Sequence, residues 1–149
     1  MTTTVGTENT LEDLLEDLIQ LDYDAADAYQ AAIDRLENAS FRSSLAQFKR
    51  DHLRHITELG DIVSSMGRTP PKEGDMKALL TKGKVVIAGL MADESILQAM
   101  RTNEADTNTV YERAVQFHGV PSDTRDVLQR GLEDERRHCE WILETLKQF

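Results

Sequence analysis

The stretch DHLRH places His52 and His55 three residues apart, and the stretch EDERRH places Glu135 three residues before His138. Residues at i and i+3 share one face of a helix, so each stretch presents two polar side chains together. Imidazole nitrogens and carboxylate oxygens are ligand types for divalent transition metals. They are also expensive to bury, because an unpaired carboxylate or imidazolium in an apolar core costs several kcal/mol. If these pairs face a core, they need partners at the same depth, and the elements that carry them decide whether they have any.

The chain has 149 residues, three Pro, 5% aromatics and charged residues spread through apolar ones, a composition suited to long helices around one core. Thr10 can cap a first helix that runs to about Asn38. Ser40 is the expected cap of a second, Phe41 to Met66, which Gly67 stops. Residues 68–75, RTPPKEGD, cannot continue it, and Gly83 and Gly89 interrupt the helical pattern of the next dozen residues. A third helix starts at Lys84 or Leu90 and reaches His118; Gly119-Val-Pro separates it from a fourth, Ser122 to Gln148. Two tightly joined helix pairs with roughly twenty residues between them predict an all-α four-helix bundle with one long crossover between the second and third helices. Residues 1–9 read as a flexible tail and 10–149 as the single domain.

Core-facing residues of a bundle recur at alternating spacings of four and three. In that register the first helix presents Leu15, Leu18, Asp22, Tyr29 and Ala32, and the second Leu45, Phe48, His52, His55 and Leu59. The third presents Met100, Glu104, Thr107, Tyr111 and His118, and the fourth Leu128, Leu132, Glu135, His138, Ile142 and Phe149. Asp22, His52, His55, Glu104, Glu135 and His138 thus fall mid-helix on the core side of four helices, where they can satisfy one another. Asp51 stands one residue, about 100 degrees, off the second seam and would replace His52 as ligand only through a π-bulge. Tyr29 and Tyr111 read as core residues bonding to the acids, His118, Asp93, Glu94 and Asp106 as surface, and Cys139 as a small buried hydrophobe.

The chain also repeats itself. Shifted by 82 positions, Asp22, Leu18, Tyr29 and Ala32 fall on Glu104, Met100, Tyr111 and Ala114; shifted by 83, Asp51, Arg54 and His55 fall on Asp134, Arg137 and His138. At these residues, and over roughly residues 10 to 148, the chain resembles the ferritin-like superfamily in its small rubrerythrin-like and bacterioferritin-like forms. The resemblance implies a ferritin-like bundle with a di-iron site that oxidises Fe(II) with oxygen or peroxide, in stress defence or iron handling. It implies Asp22 and Glu104 as terminal carboxylates, Glu135 as a bridging carboxylate, and His55 and His138 as one nitrogen ligand per metal. His52 takes the place of the other bridging Glu, and Asp22 is shorter than the usual Glu. Imidazole does not bridge as a carboxylate does, and three carboxylates hold less negative charge than four, so the second ion is expected to be weak or the site mononuclear. Zinc or manganese are alternative occupants, and a metal-free helical interaction protein is the alternative function.

With 17 Lys and Arg against 27 Asp and Glu, the formal charge of -10 repels phosphate backbones and anionic lipid, so neither nucleic acid nor membrane is an expected partner. Metal ions and a small oxidant are the expected ones. The single cysteine excludes an internal disulfide and a Cys-x-x-Cys electron relay. No basic, apolar leader opens the sequence, so a cytoplasmic protein is expected, and with no fifth helix after the fourth, a monomer or homodimer.

Overall fold

A computed structural model describes residues 3–73 and 87–149 of the chain, and among these lie four long helices. They are α1 (Leu11–Arg35), α2 (Ala39–Ser65), α3 (Asp93–Gln116) and α4 (Ser122–Leu146). α1 begins where the Thr10 hydroxyl accepts the Asp13 amide at 3.2 Å, which fills one of the donors a helix start leaves open. It ends at Arg35, earlier than expected, because Leu36 turns extended (φ -64°, ψ 136°) and buries its side chain. The cap of α2 moves with it: Asn38, rather than Ser40, accepts the Phe41 amide at 3.0 Å. Asp93, read as a surface acid, holds this turn from α3, its carboxylate accepting the Glu37 and Asn38 amides at 2.9 and 3.1 Å. α2 closes at Gly67 (φ 83°), where the Arg68 amide reaches the Val63 carbonyl and the Gly67 amide that of Ser64, the paired bonds of a Schellman ending.

α1 packs against α2 and α3, and α4 against α3 and α2. Two apolar clusters show the direction of each helix. One gathers Leu14, Leu15 and Leu18 from the start of α1 with Leu59 and Val63 from the end of α2, Tyr111 and Ala114 from the end of α3, and Leu128 and Leu132 from the start of α4. The other joins Ala32 and Leu36, Phe41 and Leu45, Leu97 and Met100, and Ile142 from the opposite ends. α2 and α3 therefore run parallel, with the end of α2 and the start of α3 at opposite ends of the bundle. The expected crossover falls largely on residues 74–86, outside the described residues; its two ends are where such a crossover needs them. Among the described residues no helix is long and apolar enough to cross a membrane.

Residues 3–9, read in sequence as a tail, lie along α3: Val5 is buried in the first cluster and the Arg113 guanidinium donates to the Thr3 and Val5 carbonyls at 2.8 and 2.9 Å. The last seam position of α4 also differs, with Thr145 buried and Phe149 exposed beside Phe41. Between the two apolar clusters lies a polar layer, and its geometry depends on Gly131. Glycine inside a helix costs about 1 kcal/mol relative to Ala. A Cβ at Gly131 would overlap Tyr111 Cε1 and lie 3.0 Å from its Cδ1, so the glycine lets the Tyr111 ring lie against the α4 backbone. Gly131→Ala is expected to lower stability by about 1–3 kcal/mol, overpacking outweighing the gain in helix propensity. Denaturant unfolding checks this, and an unchanged or raised midpoint would show the contact to be slack.

Candidate metal centre

The six residues singled out by spacing meet in the polar layer. Asp22, His52, His55, Glu104, Glu135 and His138 are each at most 4% exposed, although they come from four helices. They form two overlapping groups, Asp22 with His52, His55 and Glu135, and His52 with Glu104, Glu135 and His138, in each of which one ligand atom per residue lies within 4.8 Å of the others. His52 and Glu135 belong to both. α2 is α-helical throughout, so there is no π-bulge, and His52, not Asp51, faces the layer.

His52 Nδ1 is 2.7 Å from Asp22 Oδ1 and 3.5 Å from Glu135 Oε1, while its Nε2 is 3.7 Å from Glu104 Oε1. His55 Nδ1 lies 3.3 Å from Asp22 Oδ1 and 3.6 Å from Glu135 Oε1. His138 Nδ1 lies 3.6 Å from Glu104 Oε1 and 3.7 Å from Glu135 Oε2. The tyrosines reach across the bundle as expected: Tyr29 donates to Glu104 Oε1, and Tyr111 to Asp22 Oδ2 at 2.7 Å. Thr107 donates to Glu104 Oε2 at 3.1 Å. Four buried side-chain atoms of the layer have no hydrogen-bond partner: His52 Nε2, His138 Nδ1 and both oxygens of Glu135.

Outside this layer, two aspartates and two arginines that the register did not single out hold the histidines from behind. His138 Nε2 is held by Asp51 of α2 at 2.8 Å, and His55 Nε2 by Asp134 of α4 at 2.9 Å, so each helix orients the other's imidazole. Arg137 donates to Asp51 and Asp134 at 2.9 and 2.8 Å, and Arg54 also binds both. Asp51 and Asp134 point sideways from their seams because the partner they serve is on the neighbouring helix. The repeat is the signal that could have found them, since it superposes Asp51, Arg54 and His55 on Asp134, Arg137 and His138. Cys139, read as buried, is half-exposed and lines a surface hollow with Arg101 and Arg136.

Without metal, the layer and the residues behind it set five carboxylates (Asp22, Asp51, Glu104, Asp134, Glu135) against five basic groups (His52, His55, His138, Arg54, Arg137). Burial disfavours the imidazolium of His55, but Asp22 and Asp134 override it and lift its pKa to about 9. Burial opposes the His138 imidazolium too, yet Asp51, Glu104 and Glu135 raise it to about 10. His52 is raised well above its ordinary value by Glu135, Asp22 and Glu104 against the same penalty. Among the acids, burial raises Glu135, whereas His138 and His52 overcome burial at Glu104 and hold it well below the carboxylate range. Burial, followed by the adjacent carboxylates, pushes Tyr29 and Tyr111 up, so both stay phenols that donate.

These shifts set the sign of the pH dependence. The folded values of His55 and His138 lie above 6.5, so their contribution to stability is complete below that pH and is lost as pH rises through about 9 and 10. For chelator-treated protein, the unfolding free energy is expected to fall by on the order of a few kcal/mol between pH 8 and 10.5. Denaturant titrations at a series of pH values measure this, and a flat profile would mean that these histidines are neutral in the metal-free fold.

No curated protein matches the chain. Among solved structures it is similar to the crystal structure of a conserved hypothetical protein, rv2844, from Mycobacterium tuberculosis, with 16% identity over 93% of this chain and 99% of that one and a TM-score of 0.76. That likeness, at this identity, establishes the all-helical fold. The match to a sequence family takes in α1, α2 and α3, and with them Asp22, His52, His55 and Glu104, while Glu135 and His138 lie beyond it. By that match, over residues 10–116, the chain belongs to the family described as a domain of unknown function, DUF2383.

Proposed function

We propose that the chain is a ferritin-like metalloprotein that binds iron in the polar layer and lets Fe(II) react with oxygen or peroxide, in oxidative-stress defence or iron handling. The observation that carries this reading is the set of buried atoms without a partner. His52 Nε2, His138 Nδ1 and the two Glu135 oxygens converge on the layer, where leaving them unbonded costs more than exposing them to water. Nitrogen and carboxylate donors of this kind fit Fe(II), and also Zn(II) or Mn(II).

Asp22, His52, His55, Glu104, Glu135 and His138 are the donors the layer offers to iron, which when bound would supply the redox chemistry with the oxidant. The chain's own residues exclude bulk water by burial, aim the imidazoles through Asp51 and Asp134, and keep protons on Tyr29 and Tyr111. The even balance of carboxylates and bases favours one competing reading, a metal-free interaction protein in which the layer is a hydrogen-bonded core device.

Anaerobic Fe(II) is expected to bind, to raise the melting temperature with its concentration, and to oxidise on admission of air. Glu135→Ala and His138→Ala should each abolish binding in a protein that is still helical by circular dichroism; wild-type stoichiometry in both would remove the site as placed. A melting temperature indifferent to Fe, Mn and Zn would favour the interaction protein. Asp51→Asn leaves all six inner residues in place, yet it should weaken metal binding about 10–100-fold, the usual cost of losing an outer partner to a ligating histidine. Unchanged affinity on calorimetric titration would show that the His138 imidazole is held by packing alone.

A further inference from the structure

Resting on the metal reading above, we propose that the two halves of the layer are unequal: one divalent ion binds tightly among Glu104, Glu135, His138 and His52 Nε2, while Asp22 and His55 form a closed half that takes no tight ion. Of the partnerless atoms of the layer, His52 Nε2 and His138 Nδ1 lie toward Glu104, at 3.7 and 3.6 Å, while Glu135 is shared, its Oε2 toward His138 and its Oε1 toward His52 and His55. Both terminal acids accept hydroxyl bonds, Glu104 from Tyr29 and Thr107 and Asp22 from Tyr111, but Asp22 is in addition hydrogen-bonded to histidine. Asp22 Oδ1 faces His52 Nδ1 at 2.7 Å and His55 Nδ1 at 3.3 Å, and its Oδ2 accepts from Tyr111 at 2.7 Å. Both nitrogens of His55 lie against carboxylates, at 3.3 and 2.9 Å, the inner one on Asp22. His138 has only its outer nitrogen engaged, by Asp51, and its inner one is open.

The spacings agree. Two donors on one tetrahedral ion, each about 2.1 Å from it, stand about 3.4 Å apart. His52 Nε2 to Glu104 Oε1, His138 Nδ1 to Glu104 Oε1 and His138 Nδ1 to Glu135 Oε2 are 3.7, 3.6 and 3.7 Å, close to that edge without being hydrogen bonds. In the other half His55 Nδ1 stands at similar distances, 3.3 Å from Asp22 Oδ1 and 3.6 Å from Glu135 Oε1, and what sets that half apart is the 2.7 Å between His52 Nδ1 and Asp22, a hydrogen bond and too short for two ligands of one ion. His52 is the cause of the inequality. Its Nδ1 is hydrogen-bonded to Asp22 Oδ1, the same oxygen that faces His55, while its other nitrogen, Nε2, points to Glu104 without a hydrogen bond. Two carboxylates and two imidazoles then suffice for one dication.

Chelator-treated protein titrated anaerobically with Co(II) should take up one tight equivalent by calorimetry and visible absorption. Anomalous diffraction from the Co(II)-loaded crystal should place the ion beside Glu104 and His138. His138→Ala should weaken binding more than about 100-fold and His55→Ala less than about 5-fold, below the range that even an outer partner commands. His52→Glu should raise the stoichiometry to two. Two equally tight ions in the wild type, a single ion beside Asp22 and His55, or equal losses in the two alanine variants would overturn the inference and leave the metal reading standing. His52→Glu that still binds one ion would also overturn it, by removing the role given to His52. Absence of binding with Co(II), Zn(II) and Fe(II) alike would overturn the metal reading itself.

Discussion

The arrangement of this bundle depends on one constraint: the ionisable groups at its middle have to satisfy each other, because no water-facing route is left to them. Six such groups at most 4% exposed would be ruinous singly. They are tolerable because each helix brings its share to one depth. Asp22 answers His52 and His55, Glu104 and Glu135 answer His52 and His138, and the apolar clusters above and below seal the layer. A slip of one residue in any helix would turn its charge into hydrocarbon, so the layer fixes register as strongly as the leucines do.

The same constraint explains the less ordinary choices around it. Tyr29 and Tyr111 each cross the bundle to a carboxylate, which rigidifies the acid and satisfies the phenol in one contact. Tyr111 can take that position only because Gly131 gives up its side chain. On the α2 and α4 side, Arg54 and Arg137 tie down the two aspartates that in turn hold the histidines. The arginines themselves are about half exposed, so their ion pairs add little to stability. Their effect is to fix the angle of two imidazole rings.

Most of the layer was legible in the sequence because burial is periodic. A polar residue on a spacing of four and three betrays itself by its place among leucines, and the six residues were found on that ground. Asp51, Asp134 and Asp93 were not, for a shared reason: each bonds an atom of a distant segment, a neighbouring helix or the turn between α1 and α2, and one-dimensional periodicity carries no information about that neighbour. Helix ends were misplaced by a few residues where tertiary contacts compete with local capping, as at Leu36 and Asn38. Gly131 was visible as an anomaly in α4, but its explanation, an aromatic ring on the next helix, was not.

The two hairpins are alike in sequence, in their Asp–His exchange and in their tyrosines, yet position 52 is His where its counterpart, 135, is Glu. A bundle assembled from two identical hairpin subunits would have to carry the same residue at both places. It would then put two imidazoles or two glutamates at the shared positions. Covalent linkage of the halves in one chain frees the two positions from each other. A mixed pair can then occupy the equivalent positions, and the likeness of the two halves no longer dictates the symmetry of the chemistry they enclose.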